Sequence, residues 1–382
     1  MNLLARIENW VVDDMTPKQV RYLKPVLPRE ASGKVAEIYQ QVRQDFQLVP
    51  PITLFSVSPD LLGGIWSLWR EAQFARGHVS RPVKEAIAAS VSQINACPYC
   101  VDAHTGMLHA SSEHGAVKGI LGNDGDAITD ESMRAIIEWA SATRTPDSAI
   151  IQQPPFTSEQ APEIIGTALT YQFVNRMVSL FLVDTPMPVP AGISKMRRMA
   201  ARIFGATVGK RILARQPVAG ESLRFVPETI LPEGLAWAAS NDSIAAALGG
   251  CVMLIEAAGK RILPESVRTL VQQELVNWNG EHKGLGRQWL EANLSGLPDR
   301  DKPIAKFALL AAFSPFQVDE NLIQEFRMVR PEDRDLLGAA LWSSMAAARR
   351  TCSWLTVPVA RSGYIPDDPE RNRPIPVTTI SM

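Results

Sequence analysis

Five stretches of this chain, at 83–94, 131–142, 163–182, 263–278 and 335–355, place apolar residues at steps of three and four over lengths that strands seldom reach. That spacing lines one face of a helix and leaves the other polar. Strand signals are weak by comparison. No Asn-Gly or Asp-Gly step joins alternating apolar runs, and Asp124-Gly125 lies in a polar stretch with capping and loop character. The expected fold class is all-α, with the tryptophans as core and interface fillers.

The helical pattern also repeats. Leu61-Leu62-Gly63-Gly64 has a counterpart in Ala247-Leu248-Gly249-Gly250, VKEAIAASVSQIN from Val83 matches VRTLVQQELVNWN from Val267, and IIGTALTYQF from Ile164 resembles LLGAALWSSM from Leu336. The order is the same in both halves, at offsets of roughly 170 to 190 residues. Two diverged copies in one chain follow. The first spans 1–190, a basic linker helix 191–220, the second copy 221–360 and a proline-rich tail 361–382. The linker contains no acidic residue between Asp184 and Glu221. It reads as a bridging helix with a solvated basic face, or as a docking site for an acidic protein or an anionic carrier.

At 382 residues, either half is long enough to bury a core unaided. A formal net charge of −1 gives no overall pull toward nucleic acid or anionic lipid. The first fifteen residues lack the features of a signal peptide, and apolar windows such as 173–183 are about half a membrane span. Only four cysteines occur, Cys97, Cys100, Cys251 and Cys352, which fits a reducing compartment rather than a disulfide scaffold. The expected location is cytoplasmic.

Chemistry concentrates in SRPVKEAIAASVSQINACPYCVDAHTGMLHA, from Ser80. A helix is expected from about Arg81 to Ile94 with Ser80 as N-cap, a break at Asn95-Ala96, and a second helix that Pro98 opens. Cys97 and Cys100 then sit at a helix N-terminus, where partial positive charge favours thiolate over thiol. The three-residue step brings both sulfurs to one side of the first turn, and His104 lies one turn further on the same face. A redox-active thiol pair is the favoured reading. A structural pair of buried cysteines is another. A zinc site on Cys97, Cys100, His104 and His109 is a third, although four ligands so local close a tetrahedron poorly. Cys251 and Cys352, in apolar helical settings, read as inert core thiols.

The glutamate, twelve residues, CxxC, three residues and histidine, here Glu85, Cys97, Cys100 and His104 after an SQIN lead, resemble the AhpD and carboxymuconolactone decarboxylase superfamily. The segment VSPDLLGGIWSLWREAQF from Val57 resembles the helices that precede this motif, and the likeness runs over about residues 25 to 185. The resemblance implies an AhpD-like helical fold and a thiol-dependent peroxidase or disulfide oxidoreductase, an antioxidant enzyme of the alkyl hydroperoxidase kind. It implies attack on peroxide by Cys100, a disulfide closed by Cys97, and a proton relay through Glu85 and His104. It further implies no bound cofactor or metal, an external lipoyl-like or thioredoxin-like reducing carrier, and a homo-oligomer or internal pseudo-dimer. Some members carry a second histidine between the cysteines; this chain has Tyr99 there, a poor base near neutral pH.

Glu85 lies too far along its own helix to touch Cys97, since twelve helical residues span about 18 Å. An antiparallel second helix would instead bring His104 to it. In the second copy the same register holds Thr269, Glu281, Gly284 and Gln288, so the equipment is lost. Glu281 with His282 reads as a solvated loop or an acid–base pair. The alternatives to a peroxidase are a decarboxylase-like enzyme on the same fold, which works without a CxxC, and a non-catalytic redox sensor or assembly protein.

Overall fold

A computed structural model describes residues 12–186, 199 and 208–361, with side chains described as far as 355. Most of the linker expected at 191–220, and all but the first residue of the tail expected at 361–382, fall outside these residues. The principal helices of the first half are α1 (Gly33–Asp45), α2 (Pro59–Trp69), α3 (Arg81–Ile94), α4 (Pro98–Ala110), α5 (His114–Gly122), α6 (Glu131–Ser141) and α7 (Ala161–Phe181). Those of the second are α8 (Asp242–Ile262), α9 (Glu265–Val276), α10 (Lys302–Phe313), α11 (Glu320–Val329) and α12 (Asp333–Arg361). Among the described residues there is no strand, only an isolated antiparallel bridge between Val20 and Leu182.

The repeated segments meet one another. Helix α2 packs on its counterpart α8, and α7 packs on its counterpart α12. Such pairing of like with like is what a two-fold dimer interface produces. Contacts inside each half repeat as well. A Cβ on Gly166 of α7 would touch Ala72, and one on Gly338 of α12 would touch Ala258, the residue in the matching register. One apolar core runs through both halves, from Val12 and Ile38 to Trp342 and Leu355. A smaller cluster lies on the other side of α3, where Ala86 and Ala89 pack with Leu108, Val117, Ile120, Met133 and Ile137.

Glycine shapes the crossing of α8 with α12. A Cβ on Gly259 of α8 would fall 2.1 Å from the ring of Trp342 on α12. That ring is buried, and its indole N–H donates to Glu256 Oε2 at 2.9 Å. Helix α8 is also 21 residues long and apolar enough to cross a membrane by length and composition, longer than the apolar windows read from the sequence. In this fold its apolar face is covered by α2 and α12. The core has a use for that apolar length without a bilayer.

Helix α2 does not stop cleanly. Pro59 and Asp60 open it, and after Trp69 the chain widens into a π-helical turn, Arg70–Phe74. Such turns displace side chains from the regular helical face. Here the displaced stretch is fully buried; Gln73 reaches Glu85 at the site, while Glu71 binds Arg70, Gly220 N and Ser222.

Candidate active site

Two residues separate α3 from the N-cap of α4. Asn95 ends α3, and Ala96 takes a left-handed conformation at φ 51°, which turns the chain back on itself. Ser80 stands at the N-cap of α3, but its side chain makes no capping bond; Pro82 helps to open the helix instead. Cys97 is the N-cap of α4 and Pro98 follows in the first turn. The backbone N–H of Cys97 donates to Ser92 O at 3.0 Å, which fixes the turn. Cys97 and Cys100 are joined as a disulfide, with Cα atoms 5.5 Å apart.

Because the two helices run antiparallel, His104 arrives opposite Glu85. Its Nδ1 lies 2.6 Å from Glu85 Oε2, with both side chains buried. The other carboxylate oxygen, Oε1, accepts from Arg81 Nε at 2.6 Å and from Gln73 Nε2 at 3.2 Å. Tyr171 and Trp69 both donate to Gln73 Oε1 at 2.6 Å, so the amide is oriented with its N–H toward Glu85. The imidazole also meets the edge of the Tyr171 ring, centroids 4.5 Å apart. The four residues read from the motif are thus gathered on one helical hairpin.

The electrostatics follow from this wiring. Burial, the largest influence on Glu85, opposes its charge. The opposing pull of Arg81 and His104 outweighs it and holds the carboxyl at about 2. An ionised Glu85 accepts only, so Nδ1 of His104 carries a proton. In the neutral imidazole that leaves Nε2 as the base. Tyr99, between the cysteines, donates to Gln19 Oε1 at 2.9 Å, and burial pushes its phenol well above the ordinary range. It is a neutral hydrogen-bonding group here.

Cys97 and Cys100 are almost fully buried, yet Cys100 borders a cavity of about 330 Å³. Glu85, Tyr99, His104 and Tyr171 line the same space, and the remaining wall is mostly apolar, including Val12, Phe46, Val49, Met107, Val174 and Ile212. The cavity therefore offers one sulfur and one imidazole to a small, largely apolar molecule.

Other sequence readings resolve differently. His109 turns to the surface, where its Nδ1 lies 2.8 Å from that of His114. Among the described residues no cluster of three or more histidine, cysteine or carboxylate side chains is placed to hold a metal. Cys251 and Cys352 are wholly buried; burial pushes the first thiol up to about 12 and the second higher still. Glu281 and His282 lie exposed on a loop, where the Glu281 carboxylate accepts from the backbone N–H of Asn279. Gln73, Trp69 and Tyr171 went unread because they reach the site from other helices. Arg81, four residues before Glu85, had a legible signal in that spacing.

The likeness to known proteins covers this region and most of the chain. A family model described as the carboxymuconolactone decarboxylase family matches residues 60–116, from the start of α2 into α5. A protein of Mycobacterium tuberculosis named alkyl hydroperoxide reductase is 32% identical over 339 residues, which span 88% of this chain and 95% of that protein.

Proposed function

The chain belongs to the carboxymuconolactone decarboxylase family, and on that premise we propose that it reduces organic hydroperoxides with the Cys97–Cys100 pair. The observation that carries the reading is the line Arg81–Glu85–His104 ending beside an apolar cavity that Cys100 borders. The name of the M. tuberculosis relative agrees with it.

In the reduced enzyme His104 Nε2 takes the proton of Cys100, and the N-terminus of α4 stabilises the thiolate. Cys100 Sγ attacks the outer oxygen of the hydroperoxide. The O–O bond breaks, and the alkoxide leaves with the proton held by His104 as an alcohol. Cys100 is now a sulfenic acid. The Cys97 thiol attacks its sulfur, forms the disulfide and releases water. A reduced dithiol carrier, lipoyl-like or thioredoxin-like, returns two electrons and two protons by exchange. Glu85 acts by holding the imidazole tautomer; Arg81 and Gln73 act by holding Glu85.

The apolar wall favours a hydroperoxide with a hydrocarbon body over hydrogen peroxide. Thiol titration before and after cumene hydroperoxide tests the scheme. Wild type should lose two thiols together. Cys97→Ser should accumulate a sulfenic acid, and Cys100→Ser should react slower by about a hundredfold or more. Undiminished reactivity in Cys100→Ser would remove the assigned nucleophile, and faster consumption of hydrogen peroxide would remove the assigned substrate class.

A further inference from the structure

A second cavity, also of about 330 Å³, lies where the two halves meet. The first half contributes Asn95, Ala96, Arg144, Asn175, Arg176 and Ser179; the second contributes the 282–285 loop and the 313–316 segment. In the repeat register that loop stands where the first copy has its CxxC.

The charges here are unbalanced. Arg176 is buried, and its partners are neutral: Nε donates to Ala312 O at 2.8 Å, and Nη1 to Gln172. Arg144 likewise donates to backbone oxygens of Gly280, Ile94 and Glu281. Among the described residues neither guanidinium forms an ion pair with a carboxylate. Burial lowers Arg176 to about 9 and, against the pull of the nearby Glu281 carboxylate, Arg144 to about 10, while the two arginines depress His282. Lys283 adds a cation, offset by Glu274 and Glu281 at 3.7 and 3.9 Å. A further donor is idle: Ser314, 1% exposed, lines the cavity with a buried hydroxyl that has no hydrogen-bond partner. Two desolvated cations and an unused hydroxyl are costly arrangements unless an anion completes them.

We propose that this cavity binds a small organic carboxylate, its oxygens held by Arg144, Arg176 and Ser314 and its apolar body against Phe313, Phe316 and Leu285. Arg176 Nη2 takes no part in the bonds to Ala312 and Gln172 and, with Ser314 Oγ, can donate to a carboxylate, while Arg144 adds its positive charge. The aromatic and aliphatic wall separates such a ligand from inorganic phosphate, which has no apolar part. The site is distinct from the cavity that Cys100 borders and does not depend on thiol chemistry.

Isothermal titration of the full chain with benzoate, and separately with inorganic phosphate, tests this in low-chloride buffer. Benzoate should bind saturably at one site. Arg176→Gln should weaken it by about tenfold or more and Ser314→Ala by about threefold or more. Ser314→Ala removes only an unpaired hydroxyl, so it keeps the test open should Arg176→Gln fail to fold. No saturable binding by about 10 mM benzoate overturns the proposal. Unchanged affinity in Ser314→Ala overturns the assigned site, and phosphate binding as tightly as benzoate overturns the ligand class.

Discussion

Glu85 shows how much a single carboxylate is asked to do. It is buried, yet kept ionised by Arg81 and His104. Its carboxyl is held at about 2 in the fold, against an ordinary value of 4.5. A depressed folded value means that the stabilisation is fully present above about pH 4.5 and is lost as pH falls toward 2. The size is on the order of 3 kcal/mol. Glu85→Gln should therefore flatten the acid side of the stability profile across that window. It should also lower stability at neutral pH, because Arg81, whose Nη1 and Nη2 are already buried without hydrogen-bond partners, would lose the carboxylate charge that faces it. Urea midpoints for wild type and variant, compared from pH 2 to pH 7, check both effects. The sequence carried Glu85, Cys97, Cys100 and His104 because a hairpin of adjacent helices is a local event, governed by spacing. Gln73 and Tyr171 answer to contacts across the fold, and no spacing along the chain announces them.

At the level of helices, the periodicity located five of the elements, with ends shifted by a few residues, and did not mark the 21-residue α8. The segment read as 163–182 is Ala161–Phe181, and that read as 263–278 is Glu265–Val276. Ends are set by single capping groups, which the apolar period does not report. The π-turn Arg70–Phe74 was illegible for the same reason: its residues suit an α-helix equally well, and only packing widens it. The crossing of α8 and α12 gives a prediction at this scale. Gly259→Ala puts a methyl group into the Trp342 ring and should cost about 1–3 kcal/mol through overpacking, although alanine favours helix more than glycine does. A chemical-denaturation midpoint measures it, and a stabilised variant would show that the crossing can open without loss.

Among the described residues both halves supply one main core. Unfolding should then be a single transition, with far-ultraviolet circular dichroism and tryptophan fluorescence coincident in urea. The wholly buried thiols of Cys251 and Cys352 should become reactive in that same transition and not before. Separate transitions would show that the halves hold themselves together independently. The pairing of α2 with α8 and of α7 with α12 has a further consequence. In a symmetric dimer every substitution is made twice, so no surface can change without its twin changing too. A chain that carried both halves of such a dimer would escape that constraint: each half would keep its partner at hand however dilute the protein, and one half could carry the CxxC pair while the other carried a different pocket in its place.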